Sequence, residues 1–166
     1  MAARGIEGLA AARLWATDRF PYLATGLFGA EVVAAADSGT VSVDENWRMH
    51  ADPDLVAGWT AAQLGSVLVH HVCHLLRTHG ERAQAVGVPP EDAPQWVRAA
   101  DAEINDDLIP AGLELPGDPV LPRHLGAPDG LLRLPGQAIS SSPQSAQVSA
   151  VAARRSARPT GSDEPR

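Results

Sequence analysis

The chain has 166 residues, of which 45% are hydrophobic and only 4% aromatic, so one domain with a core of Ala, Leu and Val is expected. A formal net charge of −7, with no basic stripe before the last residues, argues against nucleic acid as a partner. The single cysteine, Cys73, excludes an intrachain disulfide and fits a reducing compartment. The N-terminal stretch MAARGIEGLAAARLW is interrupted by Arg4, Glu7 and Arg13, and no run approaches the ~20 apolar residues of a membrane span. The expectation is a cytoplasmic protein without a membrane partner.

In chain order, Ile6, Leu9, Ala10, Arg13 and Leu14 recur at helical spacing and predict a first amphipathic helix over residues 4–17, broken at DRFPY before Pro21. Leu23 to Ala36 is small and apolar, and periodicity leaves it open between a helix and a buried strand. Val41 and Val43 alternate with Ser42 and Asp44, which predicts a short strand over 40–47 after the turn at Asp37, Ser38 and Gly39. The polar segment DENWRMHADPD, residues 44–54, reads as a loop. Thr60 with Gln63 three residues on has the pattern of a capping box opening a central helix, with Gly80 as its stop. A shorter helical run precedes the break at GVPP. A further helix starts near Asp92 or Ala93, carries Pro94 in its first turn and ends before Pro110. From Pro135 onward Ser, Ala, Gln, Pro and Arg dominate, and the composition predicts disorder.

The central helix carries the chemistry. Its stretch LGSVLVHHVCHLLRTHGER holds four of the six histidines: His70, His71, His74 and His79. At ~100° per residue, His70 and His74 stand one above the other and can close on one ion. The spacing is that of H-E-x-x-H, with His71 at the glutamate position. Zinc needs at least a third donor. Asp101 is the better candidate, because it shares a face with Val97, Ile104, Asn105 and Leu108, where an uncompensated inward carboxylate is costly. His79 could serve only if the helix unwinds before Gly80. Glu103, about 200° round from Asp101, is expected to face solvent. Cys73 reads as a small core residue.

The string VDENWRMHADPDLVAGWTAAQLGSVLVHHVCHLLRTHGER, followed by WVRAADAEINDDL, resembles the bacterial metallopeptidase domain family found beside von Willebrand A-like domains. RFPYLATGLFG and LGAPDGLL are similar to it as well, so the resemblance covers about residues 18–132. It implies an α+β, mainly helical fold with a zincin-like metal helix and a small strand pair. Residues 1–132 would form the metallopeptidase-like domain, and 133–166 a disordered tail. It also implies His70 and His74 as Zn2+ ligands with a third from the Asp101 region, a peptide or protein substrate, and a von Willebrand A-like or ATPase partner. His71 stands where the family has its general-base glutamate, so the expectation is a zinc-binding, metallopeptidase-like protein with a weakened reaction. The alternative is a non-catalytic binding or scaffolding module that keeps the fold.

Overall fold

The structure is a computed structural model that describes residues 6–128 and Gly130. The tail expected beyond residue 132 lies outside the described residues. The fold is α+β and mainly helical, with helices α1 (Leu9–Arg19), α2 (Ala24–Gly29), α3 (Pro53–Val56), α4 (Ala61–Leu76), α5 (His79–Val86) and α6 (Ala93–Leu108). Three short strands, β1 (Glu31–Ala34), β2 (Val41–Val43) and β3 (Arg48–Ala51), form one sheet.

Helix α4 is the axis. Thr60 Oγ1 accepts the Gln63 N–H at 3.1 Å and Gln63 Oε1 accepts the Thr60 N–H at 3.0 Å, so the capping box satisfies two N-terminal donors. Every residue from Leu64 to His70 is buried, which requires neighbours on all sides. On one side α1 comes so close that a Cβ on Gly65 would stand 2.8 Å from the Ala12 carbonyl oxygen and 2.6 Å from the Trp15 ring. Leu68, Val69 and Val72 of α4 share one core with Leu23, Leu27, Met49, Ile104 and Leu108. Ser66, fully buried, accepts the Glu114 N–H at 3.0 Å and so ties the loop after α6 to the helix.

The ambiguous stretch 23–36 divides into both alternatives, α2 followed by β1. The segment expected to be a loop contains β3, and the expected strand pair becomes a three-stranded sheet of order β1-β3-β2. Its polar pattern is misleading because β3 pairs on both edges, parallel to β1 and antiparallel to β2, so Arg48 and His50 are carried by backbone bonding. Asp44 stabilises the turn between β2 and β3: its carboxylate accepts the N–H groups of Asn46 and Arg48 and pairs with the Arg48 guanidinium. Trp47 takes a left-handed φ of 61° there, and its ring covers Gly26.

The central helix stops earlier than Gly80. Thr78 adopts φ 51°, ψ 39°, and α5 restarts at His79. A β-branched residue in this region is strained. The break folds α5 back beside α6, where Trp96 Nε1 donates to the His79 carbonyl at 3.2 Å.

Two glycines test this packing. Gly65→Ala should cost about 1–3 kcal/mol by overpacking against α1, because one of the opposing atoms is backbone. Gly80→Ala, with nothing within 4 Å of its Cβ position, should be neutral or stabilise by up to ~1 kcal/mol. Thermal unfolding should rank Gly65→Ala below the unsubstituted chain and Gly80→Ala at or above it; equal values for the two variants would mean that α1 and α4 do not approach as described.

Candidate metal centre

His70 and His74 leave the same face of α4 and meet Asp101 from α6. The three facing atoms form a small triangle: His70 Nε2 to His74 Nε2 2.9 Å, His74 Nε2 to Asp101 Oδ1 3.0 Å, and His70 Nε2 to Asp101 Oδ1 3.3 Å. Ligands of a tetrahedral zinc at ~2.0–2.1 Å stand about 3.3 Å apart. The triangle has nearly those dimensions, slightly contracted. It opens on a cleft of about 1030 Å³ lined by β2, the start of α5 and the face of α6 that carries Ala100 and Asp101.

The ring nitrogens turned away from the triangle decide where the protons sit. His70 Nδ1 lies 3.0 Å from Asn105 Oδ1, and the Asn105 amide nitrogen donates to the Val120 carbonyl at 2.9 Å. With its N–H₂ committed to Val120, Asn105 offers His70 an oxygen, so His70 carries its proton on Nδ1 and turns a lone pair on Nε2 toward Asp101 and His74. Behind His74, Nδ1 lies 2.9 Å from Nδ1 of buried His79.

Electrostatics match a cation site. Burial lowers the His74 pKa below its ordinary value against the opposing pull of Asp101, which favours the neutral ring that can ligate. Burial raises the Asp101 pKa, but the facing His70 and His74 rings outweigh it and hold the carboxyl well below the usual range. The Cys73 thiol is pushed up by burial and stays a protonated core group.

His71 points elsewhere on the same helix. Its Nδ1 is enclosed without a hydrogen-bond partner, and the ring lies beside the Val41 backbone. Asp101 and the Val41 backbone pull toward the protonated ring. Burial, then the charges of His70 and His74, push His71 down to about 3. Its donor atoms also belong to a wider group: one ligand atom each from His70, His71 and His74 fall within 4.8 Å of one another, a histidine cluster able to hold a metal ion.

Sequence reasoning did not find two contributors. Asn105 was visible only as part of an apolar stripe, although its i, i+4 relation to Asp101 puts both on one face. Glu103, expected in solvent, is 13% exposed and pairs with Arg77 at 3.2 Å, Arg82 at 3.5 Å and His79 at 3.6 Å. The reason is the break at Thr78, which brings α5 over the flank of α6 that a continuous α4 would have left open.

Residues 7–163 match the model of the family described as "Putative metallopeptidase domain". The chain belongs to that family. The match runs past Leu132, where the quoted motifs end. No curated protein and no solved structure matches the chain. No helix among the described residues is long and apolar enough to cross a membrane.

Glu103 gives the centre an acid signature. Burial raises its pKa, but His79, Arg82 and Arg77 outweigh this and bring it from 4.5 down to about 2. A depressed carboxylate contributes stability above its unfolded value and loses it as pH falls through the folded value. The metal-free chain should therefore lose this contribution between pH 4.5 and about 2. Glu103→Gln should be less stable than the unsubstituted chain at pH 7, and the gap should close toward pH 2; a gap independent of pH in denaturant unfolding would contradict the ion-pair account.

Proposed function

We propose that this member of the family is a zinc-binding metallopeptidase-like domain in which His71 limits hydrolysis. The observation that carries the metal reading is the triangle of His70 Nε2, His74 Nε2 and Asp101 Oδ1. Two neutral imidazoles and one carboxylate are the donor set of a catalytic zinc site, which leaves a fourth position open toward the cleft. Zinc held there supplies a Lewis acid that polarises a peptide carbonyl and acidifies water.

The substrate class follows from the sheet edge. Asp52 N–H bonds the Thr40 carbonyl and Asp44 N–H the Arg48 carbonyl, so Val41 and Val43 fall at the alternate positions, their backbone groups turned away from β3. That edge lines the same cleft as His70 and His74. An extended peptide laid along it would pair by main-chain hydrogen bonds and pass the zinc ligands.

His71 works against the reaction twice. It replaces a flexible carboxylate whose general-base role is worth ~10²–10⁴-fold in rate. Its ring also lies beside the Val41 backbone, at the edge a paired peptide would use. That second point favours the rival reading, a non-catalytic module that keeps fold and metal and binds peptides or a von Willebrand A-like or ATPase partner.

Elemental analysis of tag-free protein should find one zinc per chain. His70→Ala, His74→Ala and Asp101→Ala should each lose it, and His71→Ala should keep it. Loss in His71→Ala with retention in Asp101→Ala would replace Asp101 by His71 in the ligand set.

For the reaction, His71→Glu should raise hydrolysis of a mixed peptide pool by the zinc-loaded chain at least ~10²-fold. Efficient cleavage by the unsubstituted chain with no gain in His71→Glu would make His71 a working base. Peptide binding without cleavage in both forms would favour the binding module.

A further inference from the structure

The four histidines of the stretch are unequal, and the one least accounted for by a three-donor site is His79. It is 4% exposed, and its Nε2 has no hydrogen-bond partner within 3.5 Å. Its Nδ1 lies 2.9 Å from His74 Nδ1, and its Nε2 faces Glu103 Oε1 at 3.6 Å. Two imidazole nitrogens at hydrogen-bond distance cannot both bear protons or both be bare; one donates and the other accepts.

Glu103 resolves which. A carboxylate on the far side of His79 attracts an N–H onto His79 Nε2, leaving a lone pair on His79 Nδ1 to accept. His74 must then donate from Nδ1, and its own lone pair is left on Nε2, the atom in the triangle with His70 and Asp101. The opposite arrangement would put a proton on His74 Nε2, where an ion would sit. Arg77 and Arg82 hold Glu103 in place at 3.2 and 3.5 Å, and Trp96 anchors the backbone of His79.

We infer that His79 and Glu103 are positioning residues which, through the Nδ1–Nδ1 hydrogen bond, hold His74 in the tautomer and ring orientation that bind a metal through Nε2. His79 is thus a second tier to the site and not a ligand. It does for His74 what Asn105 does for His70. The inference rests on the proposed zinc site. It goes beyond it by assigning a metal-affinity role to two residues that touch no ion, the kind of support whose loss typically costs 10–100-fold in affinity.

The test exploits the difference between filling space and accepting a hydrogen bond. His79→Asn keeps a carbonyl oxygen near the place of Nδ1. His79→Leu fills comparable space without any acceptor. Zinc affinity of the full chain, measured by competition with a chromophoric chelator, should fall about 10–100-fold in His79→Leu and stay within about threefold in His79→Asn. Ring nitrogen NMR of the zinc-loaded chain should show His79 neutral, with its proton on Nε2. Thermal unfolding of the metal-free forms should not place Leu below Asn, which separates affinity from folding. Equal affinity in the unsubstituted and Leu chains overturns the inference while leaving the zinc site standing. So does an Asn variant that loses as much affinity as Leu, or a His79 proton found on Nδ1. Absence of bound zinc from the unsubstituted chain overturns both.

Discussion

Three polar atoms, His70 Nε2, His74 Nε2 and Asp101 Oδ1, are held within 3.3 Å of one another, so close that a proton or a cation must lie among them. Most of the surrounding structure serves to keep it so. Asn105 commits its amide to Val120 and takes the outer proton of His70. His79 stands behind His74. Burial disfavours a charged His74. A proton can relieve the crowding, but at neutral pH a divalent cation does so with full use of the lone pairs. The proposed zinc would meet this electrostatic demand as well as the spacing.

That convergence requires two helices to be fixed relative to each other with little play, and the core explains how. Helix α4 is enclosed on all sides over residues 64–70, with α1 in near backbone contact at Gly65. Ile104 and Leu108 of α6 enter the same apolar cluster as Leu68 and Val72 of α4. Asp101 and Asn105 lie on the face of α6 that this packing turns toward α4. On the flank, Arg77 spans to Glu103 and Asp107. These ion pairs are partly exposed and contribute little stability singly; their use is to hold Glu103 behind His79.

The cleft separates two side-chain positions that H-E-x-x-H normally brings to one ion. His70 and His74 face Asp101 closely enough to share one ion with it, whereas His71 turns to the Val41 backbone at the sheet edge. In the proposed reading His71 would then affect two things at once: the base would be absent, and the peptide edge would be crowded by its ring. A glutamate there would be repelled by a carbonyl oxygen, which is why the single change His71→Glu is expected to free the edge as well as to supply the base.

Much of the site was legible in the sequence because it depends on helical periodicity alone. The i, i+4 relation of His70 and His74, the capping box at Thr60 and Gln63, the span of α6 and the inward face of Asp101 are all local properties of an amphipathic helix, and the structure has each of them. What local pattern does not carry is where the chain turns and what then covers a face. Residues 48–51, in a largely polar segment, form a central strand because two neighbours supply their backbone partners and Met49 and Ala51 enter the core. Thr78 ends α4 through a left-handed conformation that its β-branched side chain disfavours, so no propensity announces it. From that one turn come the burial of His79, its contact with His74 Nδ1 and the recruitment of Glu103 from the expected solvent face. The sequence by itself determined which side chains could meet an ion; the tertiary structure decided which nitrogen of each ring faces it, because that depends on partners 5 to 35 residues away.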